Sequence, residues 1–219
     1  YTLVIGDLQT NKSSEFEWRG GGNEKFDMKN QNLCLIFNAG EVSVIEFGNN
    51  EILGTFRTEY VSPNMISAKI KYTNKSKNSK KVIAYMLDIQ TISIMDLSSK
   101  TTLANIDHDS KVTHLELNAN ANKLLFKDKK KGLYLYDIAK NQKSTLLDYC
   151  VFMQWVPDSE VIVAQNRHSL VIWYSSDYPE KKNEHPIKGN VLDVRRASGK
   201  TNVIIQEGNI ESEFPLDDN

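Results

Sequence analysis

Five short apolar segments recur along this chain on one plan, and that recurrence limits the fold more than any other feature. They are Leu3-Val4-Ile5-Gly6-Asp7-Leu8, Val42-Ser43-Val44-Ile45-Glu46-Phe47, Ile92-Ser93-Ile94-Met95-Asp96-Leu97, Leu133-Tyr134-Leu135-Tyr136-Asp137-Ile138 and Leu170-Val171-Ile172-Trp173-Tyr174. Positions 7, 46, 96 and 137 are acidic; the fifth segment has Tyr174 there, and successive steps are 39, 50, 41 and 37 residues. Self-similarity at a fixed period of about forty residues marks a repeat architecture. The longest step contains an insertion, Tyr72 to Lys81, rich in Lys, Asn and Ser.

Each segment after the first follows a second apolar run: Leu33 to Phe37, Val82 to Leu87, Lys123 to Phe126 and Val161 to Ala164, with Val203 to Ile205 further on. These runs are short, rich in Val, Ile and aromatics, and mostly bounded by turn residues, so they read as strands. A moderately alternating strand precedes each pair, as at Lys25 to Lys29 and Met65 to Ile70, and a more polar one follows, as at Leu53 to Arg57 and Thr102 to Ile106. Four strands per unit with the middle two most apolar is the pattern of a propeller blade. Neighbouring blades cover the inner strands on both faces, and the outermost strand meets water.

Met153-Gln154-Trp155-Val156-Pro157-Asp158, the strand Val161 to Ala164 and the run ending in Trp173 resemble a WD40 repeat. Pro157 and Asp158 fit the turn between its first two strands, where Pro suits the first turn position. His108 resembles the histidine that opens such a repeat, with Asp128 as a candidate acidic partner at imperfect spacing. The expected structural positions of the repeats are therefore Asp96, His108, Asp137, Trp155, Pro157, Asp158 and Trp173.

The chemistry of catalysis is hard to find. Ser198-Gly199-Lys200-Thr201 lacks the earlier glycine of a phosphate-binding loop, because that position is Val194. It reads as a tight turn between strands. Gly20-Gly21-Gly22 reads as a connector between blades. The four histidines (108, 114, 168 and 185) sit in no known catalytic context. The two cysteines, Cys34 and Cys150, are flanked by apolar residues and read as buried thiols. No cofactor or metal is expected. With 27 basic and 28 acidic residues in 219, the chain lacks the basic excess of a nucleic-acid binder. No apolar run is long enough for a helix to span a bilayer.

Two lysine clusters stand out: Lys75, Lys77, Lys80 and Lys81, and Lys127, Lys129, Lys130 and Lys131. They read first as solvated turn tips. The sharper reading is a basic contact surface for anionic lipid or for an acidic protein surface.

Beyond the general repeat pattern, particular strings resemble the intraflagellar transport protein 172 family. They include Gly22-Asn23-Glu24-Lys25, Phe37-Asn38-Ala39-Gly40-Glu41, Leu115-Glu116-Leu117-Asn118, and Met153 to Pro157 through Val163-Ala164-Gln165-Asn166-Arg167. The resemblance runs from about Tyr1 to Gln206 and weakens in the insertion at 72 to 81. It implies a non-enzymatic scaffold of intraflagellar transport complex B, acting in the cilium or flagellum and in the cytoplasm near the basal body. It also implies other complex B subunits as partners and some membrane association, which would give the lysines an anionic membrane surface to meet. The alternative is a coat-like vesicle-trafficking propeller with peripheral membrane contact.

The expectation is therefore an all-β, WD40-type propeller of about five blades. The blade units are 1-19 (partial), 23-58, 61-107, 111-148, 151-187 and 191-219 (partial). Both end units offer the same strand, so the expected form is an open arc of a larger ring.

Overall fold

The computed structural model describes residues 2–17, 24–29, 32–48, 52–73 and 79–216. Lys75, Lys77 and the Gly20 to Gly22 connector lie outside the described residues. Contacts divide the chain into two compact units, Tyr1–Asp109 and Ser110–Asn219.

In the first unit a hairpin, β1 (Thr2–Gly6) and β2 (Ser13–Glu17), precedes two four-stranded sheets. One comprises β3 (Lys25–Met28), β4 (Leu33–Asn38), β5 (Glu41–Glu46) and β6 (Ile52–Arg57). After a single 3-10 turn at Pro63–Met65 comes the other: β7 (Ile66–Lys71), β8 (Lys80–Met86), β9 (Thr91–Asp96) and β10 (Thr101–Asp107). The insertion is thus shorter than its composition suggests. Lys80 and Lys81 already belong to β8, opposite Lys71 and Ile70.

In the second unit β11 (Val112–Leu117), β12 (Lys123–Asp128), β13 (Leu133–Asp137) and β14 (Gln142–Leu147) form one sheet. A second holds β15 (Phe152–Trp155), β16 (Ile162–Asn166), β17 (Ser169–Trp173) and β18 (Asn183–Pro186). A third has β19 (Asn190–Ala197), β20 (Lys200–Glu207) and β21 (Ile210–Pro215). Within every sheet, sequence neighbours pair antiparallel in chain order, which is the meander of a propeller blade.

Burial explains why the inner strands are so apolar. Leu33, Leu35, Val42 and Val44 of one blade pack with Ile66, Ala68 and Ile83 of the next, so both sheet faces are covered. Leu125, Leu133 and Leu135 meet Trp155, Ile162, Val171 and Trp173 in the same way. Val163, Leu170 and Ile172 continue the series against Val191, Val203 and Ile205. Each such aliphatic side chain contributes roughly 1.5–3 kcal/mol when taken out of water. Outer strands such as β10 and β18 remain mostly exposed. Ser198 and Gly199, the failed phosphate-loop motif, form a two-residue hairpin between paired Ala197 and Lys200, both with positive φ.

Candidate functional site

The acidic residues near the ends of the repeated segments perform two different jobs. Asp96 accepts from the backbone N–H groups of Ser98 (2.8 Å) and Ser99 (3.2 Å). Asp137 accepts from Lys140 N (3.1 Å), and Asp7 from Gln9 N (2.8 Å) and Thr10 N (3.4 Å). These short carboxylates nucleate the turn that follows their strand, as Asp does wherever it can reach the backbone two or three residues on. Those backbone donors hold Asp7 below its ordinary value. Glu46 occupies the same repeat position and instead crosses to the next blade. Its Oε2 lies 2.8 Å from Lys81 Nζ, and its Oε1 accepts from the Tyr72 hydroxyl at 3.1 Å. Burial and then the Glu46 charge push Tyr72 up to about 12.

The second unit joins its blades with a longer set of polar contacts. The buried Trp155 donates its indole N–H to Glu116 O (3.0 Å), while its backbone N–H reaches Glu116 Oε1 (3.3 Å). Glu160 accepts from the Asn118 (2.8 Å) and Asn120 (2.7 Å) amides. Lys123, buried on β12, donates to Asp177 (2.6 Å) and Ser176 (2.8 Å) on the following blade. That contact holds Asp177 below its ordinary value. Gln165 is buried, accepts from Val191 N (2.8 Å) and donates to Gly189 O (3.2 Å). Apart from Trp155, none of these bridging residues is distinguishable in the sequence, because each pairs with a residue far along the chain. Only Trp155 had a pattern to announce it.

The remaining repeat positions are also structural. Pro157 and Asp158 occupy the two central places of the β15–β16 turn, closed by Ser159 N to Val156 O at 3.2 Å, and Asp158 has φ 55°. Trp173 is fully buried and donates its indole N–H to Pro179 O at 3.0 Å. His108 is buried directly after β10, its N–H bonded to Gln90 O at 2.9 Å and its Nε2 3.5 Å from Asp109. Asp128 accepts from Gly132 N (3.0 Å) and the Tyr134 hydroxyl (3.1 Å). His108 and Asp128 belong to different compact units. Cys34 and Cys150 are buried free thiols, and burial pushes Cys150 up to about 11.

The lysine clusters resolve into unlike parts. Lys81 is committed to Glu46, and Lys80 is half-buried on β8. Lys129, Lys130 and Lys131 are exposed around the β12–β13 turn, as turn-tip lysines should be. Lys127 is not at a tip. It is on β12 with 7% of its surface exposed. A polar groove of about 540 Å³ lies on the same unit, where Thr145 to Tyr149 face Asn166, Arg167 and Lys182. There the Arg167 guanidinium stacks 4.3 Å from the centre of the Tyr149 ring.

Residues 25–181 match the family described as IFT80 second beta-propeller, which covers most of the chain. The chain belongs to that propeller family. Over 219 residues it is 48% identical to the intraflagellar transport protein 172 homolog of Danio rerio and 45% identical to that of Homo sapiens. Each alignment takes in 99% of this chain and 12–13% of the relative, so the chain spans about an eighth of the length of these proteins. The resemblance to the intraflagellar transport protein 172 family extends over 99% of the chain. Among solved structures, Kluyveromyces lactis Hsv2 aligns with 99% of this chain and 74% of its own, at TM-score 0.56 and 10% identity. At that identity the likeness speaks for the all-β propeller fold alone.

Proposed function

We propose that this propeller is a non-catalytic scaffold of an intraflagellar transport complex B subunit, presenting rigid protein-contact surfaces for train assembly and ciliary transport. The observation that carries this reading is the 45–48% identity sustained over 99% of the chain with intraflagellar transport protein 172 homologs. The polar contacts between blades support it physically. Blades tied together by polar bridges such as Lys123–Asp177 hold variable turns in set positions, which is what a binding platform requires. The partners on this reading are other complex B subunits, and the location is the cilium with the basal-body cytoplasm.

Affinity purification of the full-length protein from ciliated cells tests this. Recovery of complex B subunits is the expected result, whereas recovery of vesicle-coat subunits in their place would favour a coat-like trafficking role and overturn it.

A further inference from the structure

The polar groove beside Arg167 follows a strand edge. β14 is the last strand of its blade and pairs only with β13. Thr145, Leu146 and Leu147 of β14 line the groove in succession, followed by Asp148 and Tyr149. Successive residues of a strand point to opposite faces, so a groove that meets all three sees the strand from its edge. Alternate residues of such an edge turn their N–H and C=O groups away from the sheet, where another extended chain can pair with them. The facing wall belongs to the next blade, where Arg167 and Lys182 stand at opposite ends. Arg167 is in the turn between β16 and β17. Lys182 directly precedes β18, whose Asn183 lies opposite Ile172 and whose Pro186 lies opposite Ser169, so it follows the far end of β17. The five residues of β17 between them span about 16 Å at the usual rise, enough for four or five residues of an extended chain.

The Arg167 end is prepared for an anion. Its guanidinium lies 4.3 Å from the centre of the Tyr149 ring. Stacking occupies a face of the guanidinium and leaves the N–H fork in its plane open. Arg167 is exposed, and among the described residues its side chain forms no ion pair and no hydrogen bond. Both partners of the stack stand on anchored backbone. The buried Gln165 amide donates to Arg167 O (3.4 Å), and Cys150, next after Tyr149, donates its N–H to Lys131 O (2.7 Å). The other end is already answered, because Lys182 Nζ lies 3.0 Å from Glu184. Asp148 contributes a second acid, so the charges of the groove nearly balance.

We infer that this groove binds an extended segment of a partner protein, laid along β14 as an added strand with a glutamate side chain on Arg167. In this mode main-chain hydrogen bonds to the strand edge supply affinity, and contacts to alternate side chains supply specificity. A carboxylate matches the guanidinium fork with two parallel hydrogen bonds. Arg167 is the one groove cation without an acid beside it, which suits a single carboxylate better than a phosphate monoester of about −1.5 to −2 charge. A nucleic-acid strand or an anionic bilayer would also have to face Asp148 and Glu184. The inference adds a site and a ligand chemistry to the scaffold reading and rests on it only for the partner being a protein.

The test uses the full-length protein and a labelled short peptide of alternating Thr and Val with one central Glu, compared with its Gln form by fluorescence anisotropy. The Glu form should bind about tenfold tighter, and Arg167→Met should erase the difference. Equal binding of the two forms by the wild type would overturn the site without touching the transport assignment, which recovery of complex B subunits tests separately. N-methylation of alternate peptide amides should abolish binding in one phase and spare it in the other, as an added strand requires; indifference to both phases would overturn strand addition. A phosphoserine form that binds tighter than the Glu form through Arg167 would replace the carboxylate with a phosphate. Flotation on phosphatidylcholine–phosphatidylserine vesicles that depends on Arg167, with no preference among peptides, would replace the partner segment with a membrane headgroup.

Discussion

Replacing Glu46 with leucine should destabilise the first compact unit far more than the loss of a surface ion pair would. The Glu46 and Lys81 side chains are only 10% and 18% exposed, so each has given up most of its hydration to reach 2.8 Å. Truncating one partner of a buried pair costs about 3–5 kcal/mol, because the other charge stays buried without its counter-ion. The residual exposure of Lys81 lets some water in, so the lower end, about 3 kcal/mol, is the better expectation. Glu46 also accepts from Tyr72, which then loses its partner. For a chain of this size, about 3 kcal/mol corresponds to a Tm fall of roughly 6–12 °C. The double variant Glu46→Leu/Lys81→Met removes both charges and should return to within about 1 kcal/mol of wild type, since an apolar pair of similar volume can replace a buried ion pair. Urea unfolding gives the energies. Hydrogen exchange localises them: protection should fall in β4 to β9 and stay constant in β11 to β21. A Glu46→Leu loss below about 0.5 kcal/mol, or a double variant as damaged as the sum of its singles, would refute the claim that this pair joins the blades.

Other perturbations follow from equally local causes. Gly189 has φ +93°, and a Cβ there would lie 2.1 Å from Gln206 O; Gly189→Ala should therefore cost about 2 kcal/mol or more in urea unfolding, from left-handed strain plus backbone displacement. Trp155→Phe keeps an aromatic ring but removes the hydrogen bond donated to Glu116 O, so a loss of about 1 kcal/mol is expected by the same assay. Burial and then Lys127 and Lys131 hold His114 below 6.5 in the folded chain, so just below pH 6.5 the unfolded chain binds more protons. The stability associated with neutral His114 is complete above about pH 6.5 and declines as pH falls toward the lower folded value; comparing wild type with His114→Gln across pH 5–7 should isolate that slope. Cys150, pushed up to about 11 by burial, should resist iodoacetamide in the native chain at pH 8 and react once urea unfolds it.

How far such a chain can be read in advance depends on the range of the interaction involved. Blade architecture was legible because it follows from local patterning. Inner strands such as β4 and β16 must be apolar on both faces, and outer strands such as β18 need not be, so hydropathy alone marks the repeat. Turn chemistry was partly legible for the same reason: Pro157 and Asp158 act within the turn that Ser159 N closes on Val156 O. Glu46 marks where that reasoning stops. It shares its repeat position with Asp7, Asp96 and Asp137, yet its target, Lys81, is 35 residues away. That pairing arises only when one blade stacks on the next. The lysine clusters fail in the reverse direction. Lys127 and Lys129 are near neighbours in a basic run, but β12 ends between them at Asp128. One falls on the strand face turned toward the next blade and the other on an exposed turn. A run of like charges therefore says little about its members until strand phase is known, because a single residue of shift decides whether a lysine is carried on an exposed turn or along the face of a strand.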